Sequence, residues 1–228
     1  MTMWRVSSAG ARRWTVGAAA ALLAALAYSP RARRWYLSYG ATGQEAARVM
    51  PGDELMPDAQ LISTRAVSIA APPAAVWPWL VQLGSGRGGA YTYDWIENLF
   101  GLGMHSADAI LPQFQQLAVG DVLPLGPGGP GMRVEVCDAP RTLAFRSEDR
   151  RWVWIFSLEA VRGGTRLVSR NRIATPDASV TQRFISRVIM EPGSLIMERR
   201  MLLGIRQRVE SQLPPRPRPA AVQLPQKM

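Results

Sequence analysis

Residues 67–84, Val-Ser-Ile-Ala-Ala-Pro-Pro-Ala-Ala-Val-Trp-Pro-Trp-Leu-Val-Gln-Leu-Gly, constrain this chain more than any other stretch. A short strand from about Arg65 to Ile69 runs into a double proline. Pro73 suits the first turn of a helix, where its missing N–H costs nothing. Val76, Leu80 and Leu83 then recur at helical spacing, Trp77 lies one step round, and Gly84 is a natural stop. Pro78 is tolerated only if it still lies within about the first turn of that helix.

Downstream, Gly120-Asp-Val precedes Gly131-Met-Arg-Val-Glu-Val-Cys-Asp-Ala-Pro-Arg-Thr-Leu-Ala-Phe145, which predicts two strands around a Pro-Arg turn. Met132, Val134 and Val136 alternate with Arg133, Glu135 and Cys137, the period of a half-buried strand. Trp152 to Leu158 predicts another strand, Gly163-Gly164 a hairpin turn, and Thr165 to Ser169 the returning strand. This order of pieces, from about Leu61 to Leu213, resembles the helix-grip domains called START-like or SRPBCC, which include polyketide cyclase/dehydrase and lipid-transport proteins. The resemblance implies an α+β fold: a curved antiparallel sheet around a long C-terminal helix, enclosing a ligand cavity. A fold of this kind hosts many activities, so it implies less about function.

The charge balance removes one class of function. The chain of 228 residues carries a formal charge of +10. Six arginines (Arg5, Arg12, Arg13, Arg31, Arg33, Arg34) fall in residues 1–34 and Arg216, Arg218 and Lys227 in residues 214–228, with no acid in either stretch. Removing these nine from 27 basic residues leaves 18 against 17 acids in the body. A basic stripe of the nucleic-acid-binding kind is therefore not expected. Cys137 is the only cysteine and falls in a strand pattern, which suits a small buried hydrophobe rather than an activated thiol.

Four segments follow. Residues 1–34 are basic and hydrophobic, 35–60 a connector, 61–213 the domain, and 214–228 a Pro-rich tail suited to polyproline II and disorder. Trp14 to Tyr28 is apolar and alanine-rich, but as a helix it spans only about 22 Å against a hydrocarbon layer of roughly 30 Å. An N-terminal hydrophobic helix anchoring the protein at a membrane is expected. Ala25-Leu-Ala27 behind a basic region also permits a cleaved secretory signal, and Arg12-Arg13 a twin-arginine variant. In the connector, Thr42 followed by Glu45 fits a capping box.

The chemistry-bearing residues concentrate around Tyr91-Thr-Tyr-Asp-Trp-Ile-Glu-Asn-Leu-Phe100 and His105. His105, the sole histidine, is the first candidate for acid–base work near neutral pH, with Asp94 the second. A surface or loop-capping role for His105, and solvated helix charges for Asp94 and Glu97, are the plainer alternatives. The flanking Gly-rich turn, 84–89, lacks the ending of a phosphate loop and suits a cavity rim. Metal ligation is not expected, because the chain offers one His and one Cys. No cofactor is implied.

Trp152, Trp154 and Phe156 share one strand face, with Val153 and Ile155 on the other, so this strand is covered on both sides or lines a cavity. Arg170 and Arg172 are candidate polar anchors at a pocket mouth. In the C-terminal segment Phe184, Val188 and Ile189 open an amphipathic helix that Glu191-Pro192-Gly193 interrupts. Ser194 then caps a second helix striped by Leu195, Leu202, Ile205 and Val209. Met190, Met197 and Met201 offer an adaptable lining. The expected ligand-binding set is Trp77, Tyr91, Tyr93, Asp94, Trp95, Trp152, Trp154, Phe156, Arg170, Met190, Met197 and Met201. The expected function is binding or transfer of an apolar small molecule, a lipid or polyketide-like compound, at a membrane surface. A cyclase/dehydratase-type enzyme and an interaction module with a closed cavity are the alternatives. Oligomeric state is left open.

Overall fold

Alternating apolar faces, punctuated by glycine and proline, build one sheet gripped by one long helical run. The computed structural model describes residues 28–129 and 131–213. Helices α1 (Pro30–Leu37) and α2 (Gly43–Ala47) precede strand β1 (Leu61–Ile69) and helices α3 (Pro73–Val81) and α4 (Asp94–Leu99). Strands β2 (Val122–Pro124), β3 (Gly131–Asp138), β4 (Thr142–Ser147), β5 (Trp152–Val161) and β6 (Gly164–Ile173) follow. The chain closes with α5 (Val180–Ile185), a π-turn (Ser186–Met190) and α6 (Glu191–Ser211). All pairings are antiparallel, in the order β1-β6-β5-β4-β3-β2, and α6 packs on β1. This is the curved-sheet, long-helix α+β arrangement of a helix-grip fold.

The sheet has two buried faces with different covers. On the helix side, Val67, Phe145, Phe156 and Leu167 meet Met201, Leu202 and Ile205 of α6, together with Trp79 and Leu80 of α3. On the outer side, Ala66, Ala144, Val153, Ile155 and Val168 are covered by Met50 and Met56. The connector is therefore a packed layer. Its ties are polar: Arg170 donates to Asp53 (2.5 Å), to the Arg48 carbonyl (2.9 Å) and to the Glu45 carbonyl (2.8 Å). Arg172 donates to the Met56 (2.8 Å) and Pro57 (3.0 Å) carbonyls and to Asp53 (3.2 Å). The Thr42/Glu45 capping box forms as expected, and Arg166 pairs with Glu45 at 2.7 Å.

Three local expectations are corrected. In β3 a bulge between Val134 and Val136 shifts the register, so Val136 turns to the outer layer while Met132 and Val134 stay in the helix-side core. Pro78 lies inside α3, past its first turn. The carbonyl deprived of an N–H partner there belongs to exposed Ala74, where water can satisfy it. The C-terminal helix is not interrupted at Glu191-Pro192-Gly193, and Ser194 is no N-cap: its hydroxyl bonds back to the Glu191 carbonyl at 2.7 Å. Pro192 lacks an N–H and its ring crowds the carbonyl four residues earlier, that of Val188. The π-turn accommodates this, and the Val188 carbonyl accepts the Tyr28 hydroxyl at 3.1 Å.

The expectation of a membrane anchor is also withdrawn. Among the described residues no helix is long and apolar enough to cross a membrane. The first described helix, α1, has eight residues and lies on α6, where Arg33 pairs with Glu191 at 2.8 Å. Most of the Trp14–Tyr28 run, with its alternative reading as a cleaved signal, lies outside the described residues, as does the Pro-rich tail.

Candidate functional site

β5 carries the aromatic wall of the helix-side face. Trp152 and Trp154 stack with ring centres 5.7 Å apart and planes 21° from parallel. Phe156 lies 4.8 Å behind Trp154, and Phe145 6.4 Å across it on β4. Alternation along β5 dictates this, because residues two apart share a face. Unlike Trp79, which is wholly buried, both wall tryptophans keep part of their surface exposed.

A buried polar strip fixes the wall. The Trp152 indole N–H donates to Asn171 Oδ1 (2.8 Å) and that of Trp154 to Ser169 Oγ (2.9 Å). Ser169 Oγ in turn donates to Glu198 of α6 at 2.6 Å, and Asn171 Nδ2 donates to the same carboxylate at 3.1 Å. Arg65 of β1 completes the set with an ion pair to Glu198 and bonds to Ser194 Oγ (2.9 Å) and the Tyr36 carbonyl (3.0 Å). Burial raises the Glu198 pKa, opposed by the Arg65 charge and by the hydroxyl and amide donors. The strip locks the position of α6 on the sheet, since breaking such a pair leaves a bare buried charge. It was missed in the sequence, yet it left a signal: Arg65 is in phase with Val67 and Ile69, and Glu198 with Met201 and Ile205. Opposite charges on two apolar faces that must meet imply partners.

Beside the wall lies a cavity of about 40 Å³, lined by Leu83, Gly84, Ala90, Met104, Leu123, Leu125, Met132, Phe145 and Trp154. Every lining side chain is apolar. The volume is far below the roughly 300–1,000 Å³ of small-ligand pockets, so a ligand needs the lining to open, and four of the nine lining residues lie in the loop from Leu83 to Met104. Gly89 lets that loop pass close to the backbone at His105: its φ is +74°, and a Cβ there would lie 2.7 Å from the His105 carbonyl oxygen.

Of the expected ligand residues, only Trp154 lines this cavity, with Trp152 stacked on it and Phe156 buried behind. Arg170 sits on the opposite face of the sheet, because the side chains of adjacent β6 residues point to opposite sides, and it anchors the connector. Tyr91 is core: its hydroxyl donates to the Trp79 carbonyl (3.0 Å), and burial raises its pKa. Gly204 lets α6 approach it, since a Cβ there would lie 2.5 Å from the Tyr91 carbonyl oxygen. Met201 is likewise core, Met197 is half-buried outside the lining, and Met190 and Trp95 point outward, 63% and 70% exposed. Trp77 packs at the edge of the main core, and Tyr93 lies under the Arg200 guanidinium at 5.7 Å.

Neither proton-transfer candidate reaches the cavity. His105 is exposed. Both Asp94 oxygens are committed to Ser106, to its N–H at 2.7 Å and its hydroxyl at 2.6 Å, which ties the loop. Glu97 is buried with one carboxyl oxygen unpartnered among the described residues. Burial raises its pKa, Thr92 opposes, and the Asp94 charge adds to the rise. Cys137 is half-buried and donates to the Leu117 carbonyl, and burial raises its pKa, as suits an inert thiol.

No family model matches the chain, and no curated protein matches it either. Solved structures with a similar shape include the Polyketide_cyc-like protein Cgl2372 of Corynebacterium glutamicum, at 20% identity and a TM-score of 0.34, covering 68% of this chain and 90% of that one. The protein BH1534 of Bacillus halodurans is 20% identical with a TM-score of 0.41, covering 67% and 99%. The Aha1 dimer of Colwellia psychrerythraea is 14% identical with a TM-score of 0.34, covering 60% and 96%.

Proposed function

We propose that this protein binds an apolar small molecule between the β5 aromatic wall and the Leu83–Met104 loop, without catalysing a reaction on it. One observation carries this: the partly exposed Trp154 indole lines a cavity with no titratable group in its lining, Trp152 stacks on it, and β6 already satisfies both indole N–H groups. Such a surface offers dispersion and hydrophobic burial and little else, the usual character of apolar ligand sites. Helix-grip folds commonly bind hydrophobic ligands, which agrees. The acid–base alternative has neither His105 nor Asp94 in position. The small volume favours the closed-module alternative, so the experiment must separate an opening cavity from a sealed one.

The uncharged probe Nile red, titrated against the full chain, reads this directly. Binding should be saturable and should quench tryptophan fluorescence. Ala90→Leu places more carbon than the cavity holds, so it should weaken binding about tenfold and cost about 1–3 kcal/mol of stability by overpacking. Trp154→Ala removes wall and should weaken binding too, though it costs about 3–5 kcal/mol of stability. Absence of saturable binding, or undiminished affinity in a folded Ala90→Leu variant, refutes the ligand site.

A further inference from the structure

A second concavity lies on the other side of α6, at the sheet edge formed by β1. It has a volume of about 370 Å³, roughly nine times the wall cavity and within the range of small-ligand pockets. Its apolar surface comes from Trp35 at the end of α1, from Val67 of β1, and from Leu202 and Leu203 on α6. Trp35 is 60% exposed and meets Tyr39 edge-on at 5.6 Å, which leaves an indole face open.

The groove is held in shape. The turn after α1 is pinned to the sheet edge by the Ala66 N–H, which donates to the Tyr39 carbonyl at 3.2 Å. Gly40 makes the approach possible: its φ is +74°, and a Cβ would lie 2.2 Å from the Ala66 carbonyl oxygen.

Its rim is cationic in a body whose charges nearly cancel. Arg166, Arg199 and Arg206 all border the groove. Arg166 is neutralised by Glu45, at 2.7 and 2.8 Å. Arg199 has no carboxylate within 4 Å among the described residues; its Nε donates to the Tyr39 hydroxyl at 2.9 Å and its guanidinium lies 5.4 Å from that ring. Arg206 approaches only Glu210, at 4.0 Å, and Glu210 already accepts the Ala70 N–H at 2.9 Å. Arg199 and Arg206 are seven residues apart on one helix, about 10 Å along its axis and on the same side. Side chains of that length can converge on one oxyanion between them.

We propose that this groove is a separate binding site for an amphipathic anion: a hydrocarbon or aromatic body against Trp35 and the α6 leucines, with a carboxylate or phosphate between Arg199 and Arg206. It is distinct from the wall cavity, with which it shares no lining residue.

The test uses the full chain and three twelve-carbon probes below their micelle-forming concentrations: dodecyl phosphate, dodecanoate and dodecanol. Calorimetry should give one anionic probe at least about tenfold tighter binding than dodecanol, and the better of the two anions identifies the headgroup. Arg199→Ala with Arg206→Ala should cost about tenfold or more for that anion and nothing for dodecanol. Both positions lie on the outer side of α6 away from the core, so folding should survive. Trp35→Phe should weaken binding and remove the associated fluorescence change. Ala90→Leu, which fills the wall cavity, should leave the anion's affinity unchanged. Equal binding of dodecanol, indifference to the double arginine variant, or loss of anion binding in Ala90→Leu each overturns the proposal, the last by placing the anion in the wall cavity.

Discussion

Replacing Arg170 by Met tests whether the outer layer is structural. Arg170 is 2% exposed and its guanidinium makes five bonds, to Thr64, Asp53 and the carbonyls of Glu45, Ala46 and Arg48. Methionine fills much of the stem's volume, so the cost falls mainly on partners left bare. Removing one member of a buried pair costs about 3–5 kcal/mol. Asp53 moderates this, because it keeps Arg172 at 3.2 Å and the Met50 N–H at 2.9 Å. Freed carbonyls can also regain water if the connector lifts from the sheet. The expectation is therefore the lower part of that range, about 3 kcal/mol, against a typical domain total of about 5–15 kcal/mol. Urea unfolding reads the loss as a lowered midpoint. Limited trypsin digestion should show faster cleavage at Arg48, within the loosened layer. Nile red affinity should not change, because Arg170 faces away from the wall cavity. An unchanged midpoint together with weakened probe binding would refute this account and return Arg170 to the ligand site.

Two further tests concern titration. Burial raises the folded-state pKa of Glu97 above its unfolded value of about 4.3. Its contribution is therefore fully present below that unfolded value and lost as pH rises through the folded one. Glu97→Gln should raise the melting temperature at pH 7 but not at pH 4; a lower melting temperature at pH 7 would contradict it. Glu45 behaves oppositely, since Arg166 holds its pKa down to about 2. Its stabilisation is present above about pH 4.3 and is lost as pH falls towards 2. Glu45→Gln keeps a side chain suited to the capping box, so it isolates the charge. It should cost at most about 1 kcal/mol at pH 6, with the gap to the parent closing by pH 2; a gap that persists there would mean that packing, not charge, carries it.

Much of the fold could be read locally. The proline-opened α3, the hairpin at Gly163-Gly164, the Thr42/Glu45 capping box and the two apolar faces of β5 each depend on residues within a few positions of one another. Spacing and turn chemistry suffice for such features. The candidate site was less legible. Trp154 stood out because alternation puts it on a face with Trp152 and Phe156, but nothing local separates a tryptophan that lines a cavity from a core tyrosine such as Tyr91.

The sequence by itself determined the antiparallel α+β framework, the near-neutral body and the strand with two large apolar faces. Tertiary structure alone decided what covers each face. It set Arg170 and Arg172 against Asp53, more than a hundred positions away, and Glu198 against Arg65. It also turned Val136 outward at a bulge and carried the C-terminal helix through Pro192 by a π-turn that leaves the Val188 carbonyl to Tyr28. Periodicity says which side chains share a face. Which layer meets that face depends on how the chain returns, and a buried charge finds its partner only once both layers have closed around it.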